Sequence, residues 1–299
     1  MYRKYFITLI LLILVLCSCN KQEVFSPSQH IETESKSNEN GGMDVVKRFT
    51  YTDKQLTSVW LAGDVTLTFE YNNDKTIKRI NSSEKENTYA LLSYENKQIT
   101  QIEYYEENNL AREIIFGRKD GGKTINKVEK YVYDGFFAKS MLSDMLFPET
   151  KSLPESVLKS RKSAGKSLYS VENVTYEGDN IQRVRWYSVK DEERTLQTET
   201  TYKYDDKKNP YYGLPYAFLE LSGYNKNNIT STMVSYEHNK GKEGQIVLVT
   251  IENSYSYDKK YPVSISIAEH KTYFMAYEAQ KNPIYQTDTK NHTTQYAYK

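Results

Sequence analysis

Thr201-Tyr202-Lys203-Tyr204-Asp205-Asp206-Lys207-Lys208-Asn209-Pro210-Tyr211-Tyr212-Gly213 reads as a strand that runs into a turn. Residues two apart in a strand point to the same side, so Tyr202 and Tyr204 share a face, and the alternation from Thr198 to Tyr204 has period two. Asp205 and Asp206 have the chemistry that starts a turn, and Pro210, which lacks an amide proton, stops strand pairing. The tyrosines of this stretch are therefore candidates for a core and not for a site.

Weaker copies of the same order punctuate the chain. Tyr51 precedes Asp53, Leu56 and Val59, and the pattern returns as Tyr71, Asp74, Ile77, Ile80, as Tyr94, Asn96, Ile99, Ile102, and as Tyr176, Asp179, Ile181, Val184. Asx and Gly tolerate left-handed backbone angles, which suits them to the tight link of a β-hairpin. Two aliphatics three apart would fall on opposite faces of a regular strand, so each unit requires either a bulge or a core on both sides. Hairpin-length links between strand candidates from Val45 to Tyr298 argue for an antiparallel meander. Gln245 to Tyr257, the turn at Asp258 to Pro262 and the return through Ile265 and Ile267 make one more hairpin, and Thr293 to Tyr298 is a candidate closing strand.

One interval breaks the pattern. Between Phe136 and Gly165, Phe137, Met141, Met145 and Leu146 stand at near-helical spacing, and Ser152, Pro154 and Glu155 resemble a helix start. This insertion is expected to plug one end of the sheet or cover one face, in preference to acting as a lid. Lys159, Arg161, Lys162 and Lys166 behind it read as a solvated loop. The fold class that follows is all-β: a large curled antiparallel β-meander, open or partly closed into a barrel, with one short helical insertion near residues 136–165.

The chain has 299 residues, 28 of them Tyr against 10 Phe and 2 Trp, so much of its apolar surface is built from tyrosine. Met1 to Ser18 carries Arg3 and Lys4, then the apolar run Phe6 to Leu16, and no acidic residue, which is the layout of a secretory signal. The run is too short to span a bilayer. It ends in Leu16-Cys17-Ser18-Cys19, which resembles the lipobox of bacterial lipoproteins and makes Cys19 the lipidation site; Cys17 would place Leu16 where a small residue is needed. With Cys19 acylated and Cys17 removed, no thiol is left for disulfides, nucleophilic catalysis or metal binding. Without Arg3 and Lys4 the 40 basic residues fall to 38 against 39 acidic ones, a formal charge of −1 that suggests no nucleic-acid partner.

Asn20 to Gly42 is rich in Ser, Glu, Asn and Lys and reads as a tether with a reach of roughly 25–30 Å. Glu23 is the acidic residue near the cysteine that would bear on surface export. The expected organisation is a signal over 1–18, a lipidated cysteine and tether over 19–44, and a single antiparallel β domain over 45–299.

Tyr202-x-Tyr204-Asp205, Asn209-Pro210-Tyr211, Asn227-Asn228-Ile229 and Tyr255-x-Tyr257-Asp258 with Tyr261-Pro262 together resemble a family of Bacteroidetes lipoproteins with a porin-like β fold, over roughly Val174 to Tyr277. The resemblance implies an exported antiparallel meander on a lipid tether and brings no catalytic residues with it. Tyrosine-and-aspartate turns are also similar to the repeats of Rhs-type toxins, as an architectural analogy. A membrane barrel needs an unbroken lipid-facing apolar row, whereas Thr198 to Tyr204 offers Thr, Glu and Lys, so a soluble domain is expected.

Gly117-Arg118-Lys119-Asp120-Gly121-Gly122-Lys123-Thr124 matches the P-loop pattern by letter. A phosphate loop is followed by a helix, whereas Ile125 to Tyr133 alternates as a strand, so this is a hairpin turn. His30, His238, His270 and His292 are scattered without metal-ligand spacing, and His270 beside Glu269 is the nearest approach to a catalytic pair. The carboxylates Glu106-Glu107 and Asp191-Glu192-Glu193 fall in expected turns. Trp60 and Trp186 could stack on sugars, but a half-buried sheet uses aromatics anyway. No catalytic residue, cofactor or metal ligand is assigned, and ligand-binding residues are not identified. The expected function is that of a non-enzymatic outer-membrane lipoprotein domain, at the periplasmic or surface face, which binds or scaffolds a glycan, lipid or envelope protein. The alternatives are a carrier of an apolar or glycan ligand in the concavity of the sheet, or a glycan hydrolase.

Overall fold

The computed structural model describes residues 30–118, 124–133, 140–147, 165–212, 225–277 and 282–298. Sixteen strands follow one another as an antiparallel meander and close into a barrel, the first pairing with the last. In chain order they are β1 (Ile31–Ser37), β2 (Met43–Thr52), β3 (Gln55–Leu61), β4 (Val65–Tyr71), β5 (Ile77–Ser82), β6 (Tyr89–Glu95), β7 (Gln98–Glu106), β8 (Asn109–Arg118) and β9 (Ile125–Tyr133). After the helix α1 (Met141–Leu146) come β10 (Lys166–Glu177), β11 (Asn180–Lys190), β12 (Glu193–Lys208), β13 (Asn227–Tyr236), β14 (Ile246–Asp258), β15 (Tyr261–Tyr277) and β16 (Pro283–Tyr298).

The repeat resolves into a bulged hairpin. Tyr51 faces Leu56, Tyr71 faces Ile77, Tyr94 faces Ile99 and Tyr176 faces Ile181, and in each pair the register shifts immediately before the tyrosine. The bulge puts both aliphatics of a unit on the inner side: Leu56 and Val59, Ile77 and Ile80, Ile99 and Ile102, Ile181 and Val184 are all buried. Asp53 and Lys54, Asn96 and Lys97, and Asp191 and Glu192 all have positive φ, the two-residue link whose twist matches the flanking strands.

Tyrosines also tie the hairpins together. Tyr71 donates its phenol to the Leu56 carbonyl at 2.5 Å, Tyr204 to Ile181 at 2.5 Å, Tyr255 to Ile229 at 2.6 Å and Tyr298 to Pro262 at 2.6 Å. These bonds form a belt at the end of the barrel opposite α1. Each satisfies a buried hydroxyl that desolvation would otherwise penalise.

The apolar row points inward and the polar row outward. In β4, Val65, Leu67 and Phe69 are buried while Thr68 and Glu70 are exposed. One core cluster runs from Ile31 through Val59, Leu67, Ile80, Ile102 and Val174 to Trp186. Helix α1 completes it. Ser140 caps the helix by accepting from the Ser143 amide at 3.0 Å, its hydroxyl lies 2.8 Å from that of Tyr104, and the Met141 amide donates to Glu84. Leu142, Leu146 and Phe147 are buried in the cluster, with the Arg112 guanidinium 4.9 Å from the Phe147 ring centre. Helix α1 therefore covers the core at the end where the β3–β4, β5–β6 and β7–β8 links lie; of the rest of the interval, Phe136, Phe137, Ser152, Pro154, Glu155, Lys159, Arg161 and Lys162 lie outside the described residues.

Two expectations are corrected. Ile31–Ser37, assigned to the tether, is the strand that closes the barrel, and β2 begins at Met43 within the interval given to the tether. Asp205 and Asp206 do not open a turn: β12 continues through an irregular register to Lys208, which faces Asn227. The expected closing stretch, Thr293–Tyr298, holds the residues of β16 that pair with β1, Thr294 to Tyr298, within a strand that begins at Pro283.

Candidate functional site

The most organised outward-facing array lies across β5 to β10. Glu103 on β7 stands directly opposite Glu113 on β8. Like charges facing each other across strands destabilise a sheet unless neighbours compensate, and here four do. Gln101 donates one amide to both carboxylates, at 3.2 Å to Glu103 and 2.6 Å to Glu113. Tyr105 donates to Glu103 at 3.3 Å, Tyr133 donates to Glu113 at 3.0 Å, and Lys166 forms an ion pair with Glu113. Burial, followed by the bond to Glu113, raises the Tyr133 phenol well above its ordinary range.

Aromatic rings extend this array on both sides. Tyr89 and Tyr105 stack with centroids 4.8 Å apart, the Arg79 guanidinium lies 3.7 Å from the Tyr89 ring centre, and the Lys166 ammonium lies 4.2 Å from that of Tyr131. Beside Arg79 the β5–β6 link forms an open groove of about 460 Å³ lined by Asn81, Ser83, Lys85 and Asn87 among others. Lys85 is anchored by the buried Glu106, a hydrogen bond that raises its ammonium above the usual lysine value. Arginine and tyrosine among fixed carboxylates make this wall rigid, amphipathic and able to donate and accept.

The arrangement does not resemble a hydrolytic centre. A glycosidase needs two carboxylates flanking a bond in a cleft, whereas Glu103 and Glu113 sit side by side on a wall with their oxygens bonded to Gln, Tyr and Lys. The other carboxylate clusters are dispersed. Glu106 ends β7 and Glu107 lies in the turn, while Asp191 and Glu192 form the β11–β12 link.

The remaining sequence candidates are kept apart. His30 packs 4.6 Å from the Tyr51 ring, His238 Nδ1 lies 3.1 Å from the Gln197 carbonyl, His270 Nδ1 lies 2.9 Å from the Thr289 hydroxyl, and His292 faces Ile267 across β15 and β16. Glu269 pairs with Lys271 at 2.7 Å and not with His270. Trp186 is buried with its indole donating to Ser170 at 2.8 Å, whereas Trp60 carries the Arg48 guanidinium at 4.8 Å. Gly117 and Arg118 end β8, and the chain re-enters as strand β9, so no helix follows the P-loop letters. Among the described residues no three His, Cys, Asp or Glu could hold a metal. Cys17 and Cys19 lie outside the described residues.

A second polar group, missed in the sequence, is internal. Glu34 on β1 is paired with Lys47 at 3.1 Å and accepts from Tyr211, whose ring makes an edge contact with Tyr296. Asp205 accepts from Tyr257 and from Asn228. Lys130 and Glu172 make a buried ion pair at 2.8 Å. These pairs hold strands together across the interior and leave their charges satisfied.

Comparison with solved structures gives a crystal structure of a porin-like protein from Bacteroides uniformis, with 11% identity, a TM-score of 0.33, and coverage of 91% of this chain and 99% of that one. It also gives the structure of TcdB2-TccC3-TEV, with 8% identity and a TM-score of 0.31 over 86% of this chain, which spans 14% of that protein's length. The barrel described above rests on its own strand pairing. No protein-family model and no curated protein matches the chain.

Proposed function

We propose that the chain is a cell-envelope β-barrel domain, bathed in water and anchored in the outer membrane by a lipid on Cys19, which acts as a non-catalytic binding or scaffolding module. The observation that carries this reading is the polarity of the barrel. Its buried aliphatics face inward around α1, and its outer wall bears threonines, lysines, carboxylates and tyrosines. A lipid-spanning barrel needs the reverse, an apolar outer band around a polar lumen. The core cluster and α1 take up interior space along β2 to β11, which favours this reading over a carrier. The recognition surface is then the outer wall from Arg79 to Lys166.

Two measurements test this. Membrane fractionation with palmitate labelling should show the unmodified protein labelled and membrane-bound and the Cys19→Ala variant released; unlabelled protein retained in membranes would contradict the anchor. Native mass spectrometry of protein purified from its own host should give the polypeptide and its lipid alone. A stoichiometric additional small molecule would restore the carrier reading.

A further inference from the structure

Strand β16 pairs with β1 from Thr294 to Tyr298 and with β15 from Pro283 to Gln295, so the two ladders overlap at Thr294 and Gln295. Further up it has β15 alone: among the described residues, no strand pairs with the outer edge of β16 between Pro283 and His292. The direction of its backbone groups follows from observed bonds. The Phe274 amide donates to the Gln245 carbonyl at 3.0 Å and the Phe274 carbonyl accepts from the Gly244 amide at 2.7 Å. Phe274 is thus turned away from β16, and its partner Tyr285 forms a non-hydrogen-bonded pair with it.

Alternation then directs the N–H and C=O of Tyr285, Thr287, Thr289 and Asn291 to the open edge. The same parity is seen directly at the seam, where the Thr293 amide donates to the Ser37 hydroxyl at 2.9 Å. The close side-chain contact between Thr272 and Thr287, 3.1 Å between hydroxyls, fits a non-hydrogen-bonded pair. Ile284 and Tyr285, 45% and 52% exposed, are the most exposed large apolar side chains among the described residues, and both lie on this edge.

We propose that this edge pairs antiparallel with the same edge of a second copy of the chain, about a two-fold axis through Thr289. Charge selects both the occupant and the register. With Thr289 opposite itself, Thr287 faces Asn291 of the partner subunit, so the outward backbone groups meet, and Asp288 faces Lys290 of the partner subunit twice over by symmetry. An axis at Asp288 would set a carboxylate against itself, and an axis at Thr287 would leave Lys290 facing Ile284. The β1 pairing at Thr294 ends the open edge, so one partner fills it and the assembly closes as a dimer.

Sedimentation equilibrium of the full chain in mild detergent, with hydrogen exchange at several concentrations, tests this. A monomer–dimer equilibrium is expected, with the amides of Thr287, Thr289 and Asn291 gaining protection as dimer forms. Asp288→Lys should weaken dimerisation by about tenfold or more, and Asp288→Lys with Lys290→Asp should restore it. Thr289→Pro should abolish it with the melting temperature of the monomer unchanged. A monomer at every concentration, a dimer indifferent to these charge changes, or edge amides already protected in the monomer would overturn the proposal.

Discussion

The two sides of the barrel are built from the same unit and end differently. From β3 to β9 the strands have at most ten residues, the Tyr-turn-aliphatic units deliver two aliphatics each inward, and α1 adds Leu142, Leu146 and Phe147 to the core. From β12 to β16 the strands, β13 apart, run to 13 residues or more, and the buried hydrophobic side chains after Val189 are, among the described residues, Val249, Tyr261, Ile265 and Phe274. The tyrosine belt continues around both sides. Hairpin ties therefore set the closure of the sheet, while aliphatic density sets where it becomes a packed core. Beyond that density, β16 carries a solvated ribbon whose residues from Ile284 to Asn291 are exposed on both faces.

The contrast is broken most severely by cavities. Ile80→Ala, at a fully buried position, is expected to cost about 2–5 kcal/mol, and Ile267→Ala, half-buried on β15, about 1 kcal/mol. Denaturant titration of both variants checks this, and equal losses would mean the second side is as tightly packed as the first. The belt should behave alike on both sides: Tyr71→Phe and Tyr204→Phe should each cost about 1 kcal/mol, since each removes a hydroxyl bonded to a backbone carbonyl. At the other extreme, Ile284→Thr should change monomer stability by less than about 0.5 kcal/mol in the same titration.

Alkaline pH sharpens the same point. Burial raises the Tyr104 and Tyr176 phenols to about 12. A group whose proton is held more tightly in the folded state leaves stability intact below its unfolded pKa of about 10. Above it the unfolded chain releases protons first, so stability should fall as pH rises from about 10 through 12. Phenolate absorbance is expected to appear together with unfolding, and free titration of these tyrosines near pH 10 in the folded protein would contradict their burial.

The repeat was legible because its parts are local: a tyrosine, a turn and two aliphatics within nine residues or so. The choice between bulge and two-sided core was not, since it depends on the facing strand. Closure was hidden for a related reason. Ile31-Glu-Thr-Glu-Ser-Lys-Ser carries a single apolar residue and reads as tether, yet Glu34 is buried because Lys47 and Tyr211 meet it, the latter 177 residues away. Glu103 and Glu113 likewise come together only through the β7–β8 register, so no spacing announced the outer wall. The helix was half visible: Met141, Met145 and Leu146 marked it, whereas its anchor on Tyr104 lies 36 residues upstream, where no local spacing points to it.

The account depends on which face of the sheet meets water. In a background with Cys17 and Cys19 replaced by Ser, a single cysteine at Thr68, which is exposed, and another at Ala90, which is fully buried, can be challenged with a polar maleimide. Thr68→Cys should react at once in the folded protein and Ala90→Cys only after denaturation. Rapid labelling of Ala90→Cys in the folded state, with Thr68→Cys shielded by lipid or detergent, would mean a water-filled lumen inside a membrane-facing wall and would contradict the account.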